Sequence, residues 1–163
     1  MFVYGIDPGY DRLGISVVEI GVSGEISIKD LLLLHSSKHK DFFRRIQKIN
    51  ADFKNLVQKY LPSYIFMEDL YWGRNVSTAL KVGMIIGSLI SVVPENTKIY
   101  KVHPSSVKKY ITGNGRAGKK AILVSLEKQL NIKLNAIDDV VDALAIAYYG
   151  IKTKLLNSMI SSF

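Results

Sequence analysis

Apolar residues in the first 35 positions of the chain are arranged in a way that predicts three β-strands. The predicted strands cover residues 2–7, 13–20 and 25–35, and Asp7-Pro8-Gly9 is typical of a turn after the first of them. Because short glycine-containing turns connect these strands, we expect this part of the chain to form an antiparallel meander.

The rest of the chain alternates helical apolar spacing with short apolar runs. The predicted order is helix, strand, helix, strand and then three helices, at residues 41–61, 64–67, 76–93, 97–102, 105–111, 121–130 and 138–149. The stretch at 105–111 is predicted to form only one or two turns, and the tail from residue 151 is weakly patterned. This order predicts one α/β domain over residues 1–163, with a mixed sheet and helices on both of its faces.

Four acidic residues interrupt apolar segments of the chain. Asp7 and Glu68 each end a predicted strand, while Asp139 and Asp142 lie on the last predicted helix. Strand ends that lead into helices meet at the rim where α/β sheets bind their ligands. Residues three apart share one face of a helix, so we expect Asp139 and Asp142 to point the same way.

Together the four acids predict a site for divalent metal ions. Clustered carboxylates repel one another and retain protons unless a cation neutralises them. Oxygen ligands without His or Cys suit Mg²⁺ or Mn²⁺. Two such ions about 4 Å apart activate water and stabilise the leaving oxygen of a phosphoryl displacement.

Each acid taken alone also has a simpler interpretation as a turn or capping residue. Asp7 suits an Asx turn before Gly9, and Asp138 or Asp139 suits the N-cap of the last helix. Asp142 is the hardest to interpret as a cap, because it lies in the middle of an apolar helix. Asp138 shares a helical face with Asp142 as well, so a swap between Asp138 and Asp139 as metal ligand stays open.

Positive charge is concentrated in one segment of the chain. The net charge is +8, and residues 98–133 contain nine basic residues against a single acid, Glu127. Acidic and basic residues balance in the remainder, so this segment carries the entire excess. Concentrated positive charge favours a polyphosphate partner such as nucleic acid, although a solvated lysine-rich surface explains net charge equally well.

Several classes of protein and site are disfavoured by composition. The chain contains no cysteine, which excludes disulfides, thiolate metal sites and cysteine nucleophiles. The longest apolar run, at residues 82–93, is too short to span a bilayer, and the N-terminus has no signal-peptide pattern. We therefore expect a cytoplasmic protein without a membrane segment.

The chemistry-bearing residues together resemble the RuvC family of Holliday-junction resolvases. The resemblance rests on Gly5-Ile6-Asp7-Pro8-Gly9, Glu68, Lys108, a glycine-rich loop with Lys119, and Asp139-Val140-Val141-Asp142-Ala143-Leu144-Ala145-Ile146-Ala147. These features follow the family's order over about residues 3–149. The resemblance implies a ribonuclease-H-like fold with a mixed five-stranded sheet.

The same resemblance implies an activity and the residues that perform it. A homodimer would bind a four-way DNA junction and nick two strands symmetrically, in recombination and repair, with the RuvA–RuvB branch-migration complex as a partner. Two Mg²⁺ ions would be held by Asp7, Glu68, Asp139 and Asp142, and Lys119 would steady charge on the phosphate. Residues expected to contact DNA are Tyr71, Lys108, Lys109, Arg116, Lys119 and Lys120. Tyr71 would stack on a base, although it also suits ordinary packing, as does Trp72.

Residues 113–118 fit a G-x-G-x-x-G pattern but do not predict a nucleotide site. Lys120 stands where a P-loop has Ser or Thr, and a helix-like segment precedes the loop instead of a strand. A basic loop that follows a DNA backbone is the better interpretation.

The apolar helix at residues 76–93 has two interpretations that are compatible with each other. A helix that is apolar on most faces is typical of a buried core, whereas the family resemblance implies a dimer interface on it.

Three other functions compete with the junction nuclease. A catalytically silent module that binds branched nucleic acid has the same basic segment, but the complete set of acids argues against it. A related nuclease acting on RNA has the same site chemistry. An actin-like ATP-binding domain shares the opening Gly-Ile-Asp-Pro-Gly, but such proteins need two such domains around the nucleotide.

Overall fold

A five-stranded mixed sheet forms the centre of the molecule, as the sequence predicts. The computed structural model describes residues 1–9, 11–35, 41–69, 76–135 and 138–156. The strands are β1 (Phe2–Pro8), β2 (Arg12–Ile20), β3 (Ile26–His35), β4 (Pro62–Glu68) and β5 (Lys98–Val102). Their order across the sheet is β3-β2-β1-β4-β5, in which β1, β2 and β3 form the antiparallel meander and β4 and β5 run parallel to β1.

Helices cover both faces of the sheet. They are α1 (Phe42–Lys59), α2 (Val76–Ile90), α3 (Pro104–Thr112), α4 (Lys119–Leu130) and α5 (Asp138–Gly150), and a short π-helix (Ile151–Leu156) follows. None of the helices in the described ranges is both long and apolar enough to cross a membrane. The predicted fold class, with a mixed sheet between two layers of helices, is confirmed.

Several helical boundaries differ from the prediction by one to three residues, and the differences at α3 and α4 have local reasons. The helix predicted as one or two turns is the nine-residue α3. His103 caps it by accepting a hydrogen bond from the Ser105 amide, Pro104 occupies the first turn, and Gly113 ends it with a positive φ of 78°. The next helix begins at Lys119, two residues before the predicted start, because Gly118 serves as its N-cap.

The sheet separates two hydrophobic cores. Strand residues that point to one side pack against α1 and α2, and those that point to the other side pack against α3, α4 and α5. Along β1, for example, Tyr4 and Ile6 belong to the first core and Val3 to the second. Side chains alternate between faces along a strand, so Asp7 lies on the same face as Val3, beneath α5.

Helix α5 lies unusually close to β1 and β2. A Cβ atom at Gly5 would overlap the carbonyl oxygen of Ala143, and one at Gly14 would overlap the carbonyl oxygen of Asp139. The Ser16 hydroxyl, fully buried, donates a 2.9 Å hydrogen bond to the Ala143 carbonyl. The small residues on both sides therefore fix the position of α5, and with it the acids on its first two turns.

Candidate active site

Two of the predicted acids lie at neighbouring strand ends. Asp7 is the next-to-last residue of β1, and Glu68 is the last residue of the adjacent parallel strand β4. Glu68 lies on the same face of the sheet as Phe66, which packs in the core beneath α5. Both carboxylates therefore project from one rim of the sheet toward the same side.

The other two predicted acids come from the start of α5. The side chains of Asp139 and Asp142 are 20% and 22% exposed, whereas that of Asp138 is 69% exposed. The Oδ2 atom of Asp139 is buried without a hydrogen-bond partner. The helix thus turns Asp139 and Asp142 inward and Asp138 outward, which favours Asp139 over Asp138 as a ligand.

These side chains meet at a cavity of about 230 Å³. Asp7, Glu68, Asp142 and Lys108 line its polar side. Its remaining lining residues, from α3, α4 and α5, are Pro104, Val107, Ile122, Ala145 and Ile146. Three acids separated by most of the chain therefore share one cavity, and Asp139 lies beside it.

Lys119 is the cation in closest contact with the acids of α5. Its Nζ atom lies 3.5 Å from Asp139 Oδ1, 3.7 Å from Asp142 Oδ2 and 3.8 Å from Asp138 Oδ2. Because α4 begins at this residue, its side chain reaches back toward the first turns of α5. The predicted lysine is thus placed directly at the acid cluster, by which we mean Asp7, Glu68, Asp139 and Asp142.

The other predicted DNA contacts are distributed around the cavity. Lys108 lines it, and Lys109, Arg116 and Lys120 are exposed on α3, the following loop and α4. The loop itself is ordered by its own hydrogen bonds, including one from the Arg116 amide to the Asn114 side chain. A helix, α3, precedes it, which agrees with the rejection of a nucleotide site. Tyr71 and Trp72 lie outside the described residues.

The site makes Asp7 unusually hard to ionise. Burial raises the pKa of Asp7 from 3.8 to about 7, and the charges of Glu68, Asp142 and Asp139 add to this effect while Lys119 opposes it. A carboxyl with such a pKa gains strongly from a nearby cation, because the cation favours the ionised form.

The pKa values of the neighbouring groups are raised as well. Burial and then Asp142 raise the pKa of Glu68, with Lys108 acting in the opposite direction. Burial also raises the pKa of Asp142, against the charges of Lys119 and Lys108. Burial alone would lower the pKa of Lys119, but Asp142 and Asp139 outweigh it and raise this pKa. Burial is thus the main reason why the acids of the cluster with raised pKa values resist ionisation, and the lysines offset it only in part.

The donor chemistry of the cluster fits a divalent cation. All four side chains offer carboxylate oxygens, and one of these oxygens, Asp139 Oδ2, is buried without a hydrogen-bond partner. Within the part of the chain that the structure describes, however, no three His, Asp or Glu side chains are grouped tightly enough to hold a metal ion as they stand. The ammonium group of Lys119 lies among the acids of α5, as a cation that Asp139 and Asp142 face.

One charged residue at the site was missed from sequence. Arg12 places its Nη1 atom 3.7 Å from Asp139 Oδ2. An arginine among other polar residues of a turn is typical of a protein surface, so the sequence does not indicate that it belongs to a functional site. Its even spacing with Gly14 and Ser16 along β2 was the available signal, because it assigns Arg12 to the face that α5 covers.

Comparison with known proteins identifies the family. The family model for the crossover junction endodeoxyribonuclease RuvC matches residues 3–149. The chain is 36% identical over 150 residues to the RuvC of Petrotoga mobilis, a match that covers 91% of each chain. The chain belongs to the RuvC family. The family and the enzyme class predicted from the sequence, a crossover junction endodeoxyribonuclease, are thereby confirmed, and nucleases of this family depend on metal ions.

Solved structures of RuvC agree with this assignment. The Thermus thermophilus RuvC in complex with Holliday junction substrate superposes with a TM-score of 0.85 at 25% identity, covering 97% of both chains. The yeast mitochondrial Holliday junction resolvase Ydc2 superposes with a TM-score of 0.65 at 15% identity, covering 99% of this chain and 85% of its own. The second likeness shows the fold alone, which is the ribonuclease-H-like fold predicted from the sequence.

Proposed function

We propose that this RuvC-family chain resolves Holliday junctions by cutting two opposed strands, using divalent ions held by the acid cluster. The observation that carries the proposal is the meeting of Asp7, Glu68 and Asp142 at one cavity, with Asp139 beside it. The neighbouring Lys108 and Lys119 give the site the mixed charge that a phosphodiester and metal ions require. Among its relatives, the Thermus thermophilus RuvC was solved with a Holliday junction substrate.

The ions are proposed to be Mg²⁺, two in each active site, with Mn²⁺ as a substitute. Asp7, Glu68, Asp139 and Asp142 would hold them through carboxylate oxygens, the ligands that these hard cations prefer. When bound, the ions supply an activated water and stabilise charge on the leaving oxygen. The raised pKa of Asp7, caused by burial and then by the neighbouring acids, supports this assignment, since a bound cation would favour the ionised form.

The lysines are proposed to act on the phosphate and on the DNA backbone. Lys119 already places its ammonium group within 3.7 Å of Asp142, so it can neutralise charge that develops on the phosphate at the same place. Lys108 lines the cavity and is proposed to attract the backbone of the cut strand. The exposed Lys109, Arg116 and Lys120 extend this positive surface, and Tyr71 remains the proposed base-stacking residue.

The active unit is proposed to be a homodimer formed through α2. Val76, Leu80 and Met84, spaced one helical turn apart, are each more than half exposed at 58%, 58% and 52%. Large apolar side chains in a continuous exposed stripe are typical of a protein interface. A second copy bound there would supply the second active site that symmetric nicking needs. We further propose that the dimer works in the cytoplasm and, as the family resemblance implies, with RuvA–RuvB.

The central test is cleavage of a labelled four-way junction with Mg²⁺, beside linear duplex and branched RNA. We expect wild-type protein to cut the junction in two symmetric places and to spare both controls. Asp7→Asn should bind the junction normally but cut it at least about a hundredfold more slowly. Losing a residue that only supports a metal ligand costs up to about a hundredfold in activity, and losing the ligand itself should cost no less.

A matched variant separates this effect from a general loss of acid charge. Asp52 pairs with Lys48 at 2.6 Å on α1, on the opposite face of the sheet. Asp52→Asn should therefore cut at the wild-type rate. If Asp7→Asn also cut at that rate, the assignment of Asp7 to the metal site would be wrong. Cleavage of branched RNA in preference to the junction would contradict the proposed substrate.

A further inference from the structure

Arg12 lies on the opposite side of the acid cluster from Lys108. Strand order places β2, which carries Arg12, on one side of β1, and it places β4 and β5 on the other. Helix α3 with Lys108 follows β5 directly. Along the rim, the charges therefore run from Arg12 through Asp7 and Glu68 to Lys108, with a cation on each flank of the acids.

The residue before Arg12 is held by an ion pair with a buried arginine on the other face of the sheet. Asp11 lies just before β2, which begins at Arg12, and the two residues have their partners on opposite faces of the sheet. Asp11 pairs at 3.0 Å with the guanidinium group of Arg45 on α1, which is only 6% exposed. Arg12 points to the other face, toward Asp139, where Gly14 lets α5 approach β2. The buried Arg45 thus holds Asp11 on the side of α1, and Arg12 is directed at the active site on the other side.

The contact between Arg12 and Asp139 is weak enough to be exchanged. The Arg12 side chain is 63% exposed, and the two charged groups are 3.7 Å apart, beyond hydrogen-bond distance. Exposed pairs of this kind contribute little to stability. A planar guanidinium group binds a phosphate through two parallel hydrogen bonds, which is a stronger contact than the present one.

We propose that Arg12 binds a phosphate of the cut strand, so that the strand is held by cations on both flanks of the acid cluster. The proposal rests on the proposed function, since it concerns the strand that the acid cluster cuts. Lys108 and Lys119 belong to the basic segment at residues 98–133, whereas Arg12 reaches the site from the first hairpin. Arg12 gives the binding surface a second side that the charge distribution along the chain does not reveal.

The first test measures junction binding without divalent ions as a function of salt. Each phosphate contact contributes about 0.9 to the slope of log K against log salt concentration. Arg12→Gln should lower the slope by about this amount, while Arg12→Lys should keep it. The control is Lys29→Gln, which removes a cation paired with Glu19 at 2.7 Å, far from the rim. A slope for Arg12→Gln equal to that of wild type would overturn the proposal.

The second test locates the phosphate by single-turnover cleavage with Mg²⁺. Junctions carry one neutral methylphosphonate at a time, on either side of the cleaved bond. At one position the replacement should slow wild-type cleavage about tenfold, the scale of a lost charged hydrogen bond, and should not slow Arg12→Gln further. Equal slowing of both proteins at every position would contradict the contact. If wild-type protein bound the junction without cutting it, the proposed function would fail, and the salt slopes alone would decide the role of Arg12.

Discussion

Asp7 combines two properties that the rest of the site depends on. It lies next to the end of the buried strand β1, and its carboxyl group is itself buried, beside three other acids that a single lysine opposes. In the metal-free protein its pKa of about 7 means that folding favours the protonated form. The same carboxyl in an unfolded chain has a pKa of about 3.9.

This difference predicts that the metal-free protein becomes more stable as the pH falls through 7. A carboxyl group whose pKa is higher in the folded state binds its proton more tightly there. Its ionised form therefore destabilises the folded protein fully above the folded pKa, and protonation removes this destabilisation below it. Between about pH 8 and pH 6 the gain should be roughly 1 kcal/mol, the effect of one such proton. Glu68 and Asp142, whose pKa values are also raised, act in the same direction.

The measurement is the midpoint of thermal unfolding in EDTA at these two pH values. Asp7→Asn should lose most of the pH dependence, because it has no proton to gain. Mg²⁺ added at the higher pH should raise the midpoint of wild-type protein and leave that of Asp7→Asn nearly unchanged. If the unfolding temperature of wild-type protein were lower at the lower pH than at the higher pH, the assignment would be contradicted.

Helix α5 is the element that brings the acids together. Gly5 and Gly14 allow its backbone to approach β1 and β2 more closely than any side chain would permit, and the Ser16 hydroxyl bonds to the Ala143 carbonyl. The position of the α5 acids therefore depends on residues that carry no charge. Changes in this packing should affect stability and cleavage together.

Gly5→Ala tests this dependence. The new methyl group would overlap the Ala143 carbonyl and the Ala147 amide, which are backbone atoms that cannot rotate away. We expect a loss of about 3 kcal/mol in the free energy of unfolding, measured with urea, since overpacking of this kind is costly. Gly118→Ala is the control: no atom lies within 4 Å of a Cβ there. It should cost at most about 1 kcal/mol, as a helix N-cap change. Equal losses in the two variants would contradict tight docking of α5.

At this scale, the sequence predicts a functional residue only where a polar side chain interrupts or ends an apolar segment. The acids of the cluster were found because each interrupts or ends an apolar segment, and their spacing gave the correct rim and helix face. Arg12 was missed because a cation in a polar turn interrupts no apolar segment, and its partner lies on α5 at the far end of the chain. The extra length of α3 was missed because it depends on the cap supplied by His103.

At the scale of the whole molecule, the two sides of α2 differ in burial although both are apolar. Val82, Ile85 and Leu89 are buried, the last two in the core that α2 shares with α1 and the sheet, whereas Leu80 and Met84 face outward with more than half of their side chains exposed. The apolar pattern alone did not separate these two sides, because both are hydrophobic. The buried side is core, and the exposed side is the proposed dimer interface.

Leu80→Glu tests that interface. Burying a fully exposed leucine contributes about 1.5–3 kcal/mol, and Leu80 would contribute somewhat more than half of this. Burying an unpaired carboxylate in its place costs more than this gain. Sedimentation should therefore change from dimer to monomer, while the thermal midpoint of the isolated subunit changes little because the residue is exposed. Val124→Glu on α4, at a residue 54% exposed on another helix, should remain dimeric. A monomer has one active site, so the Leu80→Glu protein should leave singly nicked junctions where wild-type protein makes paired cuts. If the sedimentation of Leu80→Glu were unchanged, the dimer interface would lie elsewhere.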